Sequence, residues 1–168
     1  IASSPYAVAE GDESSALSVD SHAEGYNTIA GNAAENYKTK GAHAEGYKSK
    51  AGTTAPTSYV EAPHAEGYET TADGAGAHSE GYKTTASGRG AHAGGYNSTA
   101  IGAYSFAHGE NVHATSYQIA LGRNNATNNL GYCLMIGAGS TNSRSNCFRA
   151  DPSGVHSMGP YQSSGADY

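Results

Sequence analysis

The chain has 168 residues, and Leu, Ile, Val and Phe together supply only sixteen of them. A fraction of about 10% is too small for a conventional core, because ordering a residue costs about 1–2 kcal/mol and a buried CH₂ returns about 0.8 kcal/mol. With 14% charged residues, a net charge of −6 and 13 Tyr, the chain is also less charged and more aromatic than a disordered one. Composition therefore favours a fibrous protein.

The charge balance and the cysteines exclude several functions. Nine Lys and Arg, spread along an acidic chain, form no phosphate-binding patch, so nucleic acid is not expected as a partner. No apolar run of about 18 residues and no basic-then-apolar leader are present, so neither membrane insertion nor a signal peptide is predicted. Cys133 and Cys147 lack the paired spacing of a zinc site and are predicted to be half-buried small apolar residues.

A heptad repeat dominates residues 1–117. The motif HAEGY occurs at 22–26, 43–47 and 64–68, HSEGY at 78–82 and HAGGY at 92–96, so the starts lie 21, 21, 14 and 14 residues apart. Stepping by seven from Ala9 to Ala114 gives sixteen positions, of which thirteen are Ala, and ten of the positions two residues later are Gly. An internal repeat of this regularity defines the architecture.

The repeat predicts strands, not a coiled coil. Coiled coils need two large apolar residues per heptad, and a Gly in each heptad costs a helix about 1 kcal/mol relative to Ala. In HAEGYKT, by contrast, Ala can face inward while His and Glu face outward, and Gly permits a bend. The sequence therefore predicts an all-β roll or solenoid over residues 1–117.

One full turn of this roll is predicted to take fourteen residues. His and Tyr motifs alternate with plainer heptads such as TASGRGA at 85–91, which indicates two unlike strands per turn. At about 4.8 Å per turn, eight turns make a rod of about 40 Å. The two 21-residue intervals contain an additional heptad, which is either a bulged loop or a swap of faces.

Residues 118–168 differ from the repeat and form a second predicted region. YQIALG at 117–122 and CLMIGAG at 133–139 indicate strands around the polar segment 123–129. NCFRAD and VHSMG then predict a hairpin with Pro152 and Gly154 in its turn. Large apolar residues concentrate here, so this end is expected to be the base that joins three chains.

The repeat blocks SHAEGYNTIA at 21–30, AHAEGYKSKA at 42–51 and AHSEGYKTTASG at 77–88 resemble the head repeats of trimeric autotransporter adhesins. The resemblance implies a left-handed parallel β-roll and a homotrimer. Bacterial members more often carry an apolar residue where this chain has Glu24, Glu45, Glu66 and Glu80. The His-Ala-Glu-Gly variant is more similar to bacteriophage tail fibres and appendages.

The carboxyl-terminal segment 142–168 resembles the region just ahead of the self-cleaving intramolecular chaperone of phage tail spikes and neck appendages, the peptidase G2 type. The resemblance implies cleavage near Ser164, Gly165, Ala166, Asp167 and Tyr168. It also implies location in the virion tail, with the bacterial cell surface as the alternative.

Two side-chain rows are the candidate functional residues. We predict structural ladders of His22, His43, His64, His78 and His92 and of Tyr26, Tyr47, Tyr68, Tyr82 and Tyr96. His with Glu two residues later could instead bind metal or sense pH, and an ion site near His108, His113 and Phe106 is a further hypothesis. Because metal sites rarely repeat at every turn, neither metal nor cofactor is predicted.

Function follows from these features as an expectation. Exposed Tyr, Asn, Thr and Glu on a rod could bind cell-wall carbohydrate, with segments 31–42 and 52–63 as the expected contacts. The alternative places the Tyr inside the trimer. No catalytic constellation stands out, so an enzyme is not predicted, and a polysaccharide-degrading spike is the least favoured hypothesis after a bacterial surface adhesin.

Overall fold

The computed structural model describes residues 1–33, 38–54, 60–126, 133–140, 142–151 and 154–158. Within these ranges the chain forms strands and turns and no helix, so it contains no helical membrane span. The first ten strands are β1 (Val8–Asp12), β2 (Ser15–Ala16), β3 (His22–Tyr26), β4 (Ile29–Ala30), β5 (Thr39–Lys40), β6 (His43–Tyr47), β7 (Lys50–Ala51), β8 (Val60–Glu61), β9 (His64–Tyr68) and β10 (Thr71–Ala72). The other ten are β11 (His78–Tyr82), β12 (Thr85–Ala86), β13 (His92–Tyr96), β14 (Thr99–Ala100), β15 (Phe106–Glu110), β16 (His113–Ala114), β17 (Ile119–Arg123), β18 (Leu134–Ala138), β19 (Asn146–Asp151) and β20 (Gly154–Met158).

The strands of five or six residues form one sheet, called here the long sheet. Its order is β1-β3-β6-β9-β11-β13-β15-β17-β18-β19-β20, and pairing is parallel from β1 to β18. The register joins equivalent motif positions, as in the pairing of His64 with His78 and of Tyr68 with Tyr82. The prediction of a parallel all-β solenoid is therefore confirmed for this part of the chain. Equivalent residues are fourteen positions apart from β1 to β3 and from β9 to β15, whereas Phe106, Ile119 and Leu134 are 13 and 15 positions apart.

The two-residue strands form a second wall, the short sheet, in the order β16-β14-β12-β10-β7-β4-β2. Its strands are also parallel, and each places its second residue, an Ala, inward: Ala16, Ala30, Ala51, Ala72, Ala86, Ala100 and Ala114 are fully buried. Each turn from β1 to β16 thus contributes one long and one short strand. This arrangement explains why two unlike heptads make one turn.

The two 21-residue intervals keep the faces of the solenoid unchanged. His22 pairs with His43, and His43 pairs with His64, so the additional heptad does not exchange the sheets. The additional heptads end in β5 and β8, which pair with each other and stay in line with the neighbouring turns. Lys40 bridges Val19 of the turn before, and the Gly76 N–H of the turn after donates to the Glu61 carbonyl oxygen. Of the two alternatives that the sequence left open, the structure excludes the swap of faces and supports the loop. Residues 34–37 and 55–59 of the two intervals lie outside the described residues.

Alanine and hydroxyl side chains fill the narrow interior. From β3 to β18, the inward residue of each long strand is buried; it is Ala except in β11, which has Ser79, and in β18, which has Met135. Buried hydroxyl groups line the corner between each long strand from β1 to β13 and the short strand that follows it. They form hydrogen bonds between neighbouring turns: Thr28 Oγ1 donates to Ser14 Oγ at 2.8 Å, and Thr70 Oγ1 donates to Ser49 Oγ at 2.9 Å. The interior is therefore filled by the same small side chains in each turn, and it contains few large apolar side chains.

Glycine is required at the fourth position of the long strands. Gly67 has a φ of +112°, and a Cβ there would lie 2.3 Å from the carbonyl oxygen of Gly81 in the next turn. Neighbouring turns approach too closely at this point for any side chain. The Gly that marks the heptad in the sequence thus sets the spacing between turns.

The parallel stack ends where the chain reverses. β17 and β18 still add to the long sheet in parallel, although they belong to the region that the sequence set apart as 118–168. β19 then pairs antiparallel with β18, and β20 antiparallel with β19, where the hairpin was predicted. Residues 152–153, which include the predicted turn residue Pro152, lie outside the described residues.

Candidate functional site: three side-chain columns on the long sheet

The outer face of the long sheet carries three columns of functional side chains. Side chains alternate along a strand, so the first, third and fifth residues of HAEGY point away from the buried Ala. In β9 these residues are His64, Glu66 and Tyr68. Because the register is exact from turn to turn, each type forms a continuous column.

The His column is a stack of parallel imidazole rings that ends at β13. Ring centroids of successive residues from His22 to His78 lie 4.6–4.9 Å apart with interplanar angles of 2–10°. The ring of His92 breaks the pattern, since it meets His78 at 82° and then stacks on Phe106 at 4.7 Å. The five predicted His residues are therefore brought together, with a change of orientation at the last one.

The Tyr column is more exposed than the His column. Successive centroids from Tyr26 to Tyr96 are separated by 4.7–5.1 Å, and the rings are within 14° of parallel. Between 36% and 52% of each residue's surface is exposed. Because the rings cover one another's faces, the column presents ring edges and phenol hydroxyls to solvent.

Glutamates of the third position lie beside the His column. Glu66 contacts two turns, with Oε2 4.0 Å from His64 Nε2 and Oε1 3.6 Å from His78 Nε2. The Nε2 atoms of His43, His64, His78 and His92 are shielded from solvent and have no hydrogen-bond partner. Each of these nitrogens lies 3.3–4.0 Å from a glutamate carboxylate oxygen.

Burial and neighbouring imidazoles favour the neutral form of His64 and His92. Burial, followed by the neighbouring rings of His43 and His78, lowers the pKa of His64 below its usual value. Burial and then His78 also lower the pKa of His92, although Glu80 acts in the opposite direction. Neutral imidazole nitrogens are the form that ligates metals.

The third-position column changes composition at β13 and β15. Gly94 replaces the Glu of the earlier strands, and His108 stands opposite Gly94 in the next turn. The Glu80 carboxylate lies 3.3 Å from His92 Nε2 and 3.9 Å from His108 Nδ1 through the same oxygen. From the sequence, Glu80 was one of the repeated glutamates and His108 an irregular residue, but their convergence beside Gly94 was not predicted. An alignment of the turns by register would have identified it.

A polar groove lies next to the Tyr column, at the corner between the two sheets. Asn27, Lys48, Lys50, Glu69 and Thr71 line a space of about 260 Å³. Lys48 and Glu69 occupy corner positions with φ of 56° and 53°, directly after Tyr47 and Tyr68. The Lys48 ammonium also lies 5.1 Å from the centroid of the Tyr47 ring. Positively charged Lys ammonium groups, a Glu carboxylate and neutral polar groups therefore lie beside the exposed Tyr hydroxyl groups.

Several predicted positions have a different outcome. Cys147 is half-buried as expected, but the prediction for Cys133 is wrong: it is exposed, and its Sγ lies 3.3 Å from the carbonyl oxygen of Ala150. Cys133 directly precedes β18, so the thiol lies outside the stacked interior. The cleavage residues 164–168 and much of the expected sugar-contact segments, namely 34–37 and 55–59, lie outside the described residues.

Comparisons of the chain with protein-family models, with curated proteins and with solved structures find no match. The class that the geometry defines is a parallel β-solenoid with small side chains inside and repeated His, Glu and Tyr columns outside.

Proposed function

We propose that this chain is a segment of a homotrimeric bacteriophage tail fibre or appendage, a rod that contributes structure and binds a carbohydrate polymer of the host surface. The observation that carries the proposal is the column of exposed Tyr bordered by the polar groove of Asn27, Lys48, Lys50, Glu69 and Thr71. A surface that repeats with each turn suits a ligand that itself repeats.

The groove supports carbohydrate more than a globular protein as the ligand. Saccharides are bound by aromatic side chains together with convergent hydrogen-bonding groups. The groove offers amide, ammonium, carboxylate and hydroxyl groups from three successive turns. Since the Tyr faces are occupied by stacking, contact with sugar would use phenol hydroxyls and ring edges. The proposed interaction with sugar is therefore edge-on.

Trimer formation is supported by the composition of the interior. A solenoid filled by Ala and hydroxyls buries little apolar surface per residue, while Ile119, Tyr117 and Ile136 remain exposed near the end of the stack. Association of three chains along these side chains would bury them. A left-handed roll and removal of a chaperone near 164–168 are parts of the proposal that rest on the family resemblance.

Catalysis is less well supported than binding. Glycoside hydrolases use two carboxyl groups about 5–9.5 Å apart. The described lining of the groove includes a single carboxylate, that of Glu69. A bacterial surface adhesin would use the same rod, and the sequence of the complete protein separates that alternative from a phage fibre.

The test is binding of the purified chain to wall polymers extracted from candidate host bacteria. Removing one phenol hydroxyl by Tyr47→Phe is expected to weaken binding about tenfold while the ring stack persists, and Lys48→Ala to weaken it similarly. Tyr104→Phe is the matched control, because it removes the hydroxyl of an exposed Tyr that belongs neither to the Tyr column nor to the lining of the groove. Equal binding by Tyr47→Phe, Lys48→Ala and the unaltered chain would contradict the proposed surface, as would the absence of binding to every polymer.

A further inference from the structure

Three side chains from three successive turns converge at one end of the His column. They are Glu80 of β11, His92 of β13 and His108 of β15, and each offers one ligand atom within 4.8 Å of the other two. We propose that these residues bind one divalent transition-metal ion of the Zn²⁺ class.

The distances are close to those that a bound ion requires. Zn²⁺ lies about 2.0–2.1 Å from N and O ligands, so two ligand atoms of a tetrahedral site are about 3.4 Å apart. His92 Nε2 is 3.3 Å from Glu80 Oε1, and His108 Nδ1 is 3.9 Å from the same oxygen. Small rotations of the His108 side chain complete the site.

Gly94 creates the space in which these groups meet. A Cβ on Gly94 would lie 2.4 Å from His108 Nδ1 and 3.1 Å from Glu80 Oε1. Earlier long strands carry Glu at this position, including Glu45 and Glu66. The exchange of Glu for Gly thus coincides with the appearance of a second imidazole one turn later, which a purely structural ladder does not require.

Ring orientation distinguishes this site from the rest of the column. His43 and His64 also lie near a common carboxylate, but their rings are parallel at 4.6 Å, so their nitrogens point side by side. The rings of His92 and His108 are instead inclined at 33° with centroids 6.2 Å apart, and His92 has left the parallel stack.

Two other groups in the described columns offer a single imidazole with two carboxylates. They are the weaker candidates, because Zn²⁺ prefers nitrogen ligands to additional oxygen ligands in a protein site.

The ligand set defines the class of ion. Two imidazoles and one carboxylate suit Zn²⁺, Co²⁺ or Fe²⁺, whereas Mg²⁺ and Ca²⁺ prefer oxygen ligands throughout. His92 Nε2 is shielded from solvent and has no hydrogen-bond partner, so binding an ion would satisfy it. With 35% of Glu80 and 48% of the His108 side chain exposed, an ion and a water ligand can reach the site.

The experiment titrates the metal-free full chain with Zn²⁺ in competition with a chromophoric chelator, and with Co²⁺ to follow the visible absorption of its coordination. One ion per chain is expected. Glu80→Gln keeps the shape of the side chain and is expected to weaken binding about tenfold or more, as is His108→Ala. Gly94→Ala adds only a methyl group, at a position without positive φ, and is expected to have the same effect by displacing His108.

His43→Ala is the matched control, since it removes one imidazole from the same column outside the proposed site. It is expected to leave the stoichiometry and the affinity within about twofold, and circular dichroism checks that each variant is folded. Absence of stoichiometric binding, or equal loss of affinity in His43→Ala and Glu80→Gln, would overturn the proposal. Retention of full affinity by both His108→Ala and Glu80→Gln would do the same.

Discussion

The hydroxyl groups of Ser79 and Thr84 form a hydrogen bond of 2.8 Å inside the solenoid. The neighbouring turns have Ala at the position of Ser79. Both residues are fully buried, and Thr84 Oγ1 also donates to the carbonyl oxygen of Glu80 at 3.0 Å. Ser79 therefore depends on Thr84 for its partner, whereas Thr84 has a second one.

This asymmetry predicts unequal effects of two similar substitutions. Thr84→Val leaves the buried Ser79 hydroxyl without its partner and is expected to cost about 1–3 kcal/mol of unfolding free energy. Ser79→Ala matches the other turns and is expected to cost about 1 kcal/mol or less. Urea unfolding at one fixed protein concentration measures both, and the double variant should be more stable than Thr84→Val alone. Equal losses in the two single variants would contradict the assignment.

Substitution of the spacing glycine is expected to be far more damaging than that of a corner glycine. Gly67→Ala places a Cβ 2.3 Å from Gly81 O at a φ of +112°, so the turns must separate and the loss is expected to exceed about 3 kcal/mol. Gly76→Ala is the control, because Gly76 has no atom within 4 Å of its Cβ position and a φ of +62°. Its expected cost is about 1–2 kcal/mol.

Ala62 already adopts a φ of 50° at the corner equivalent to that of Gly76, which supports this choice of control. Thermal unfolding followed by circular dichroism compares the two variants. A Gly67→Ala chain as stable as Gly76→Ala would contradict the close approach of the turns.

The stability of the chain is expected to fall on mild acidification because of His113. Burial, and secondarily the Arg144 guanidinium, lower the pKa of His113, whose Nδ1 lies 2.7 Å from the Thr99 hydroxyl. The unfolded chain, with a pKa near its usual value of about 6.5, then takes up the proton first. The contribution of His113 to the unfolding free energy is full above the pKa of the unfolded chain. It decreases as the pH falls below that value and stays constant below the pKa of the folded chain.

The matched variant is His113→Thr, which restores the residue found at Thr71, Thr85 and Thr99 in the same column of the short sheet. Urea midpoints are measured from pH 7.5 to pH 5. The unaltered chain should lose more stability over this interval than His113→Thr. Identical slopes would show that His113 does not contribute.

The heptad predicted the strands of the solenoid because Ala and Gly each have one physical role there. Ala23, Ala44 and Ala65 are the small inward residues, and Gly67 is required where turns approach, so both leave a strict period in the sequence. The fate of the additional heptads was not predictable, since an excursion and an exchange of sheets preserve the same period. The pairing of His22 with His43, and of His43 with His64, shows that the additional heptads do not exchange the sheets.

The convergence at Glu80 was harder to predict for a different reason. It depends on the missing side chain of Gly94 and on a ring rotation of His92, neither of which changes the period. His108 was recognised as irregular, but its partners come from two other turns. When the turns are aligned in register, Glu80, Gly94 and His108 occupy the same position of successive turns, which the linear sequence does not show directly.

The solution mass of the purified chain, measured by multi-angle light scattering, decides whether the proposed homotrimeric rod forms. A trimer has three times the 17.1 kDa of one chain, and we expect an elongated particle of that mass that is retained on dilution. A compact particle of 17.1 kDa that retains its β-structure would contradict it, because the Ala-lined solenoid would then be stable without partner chains.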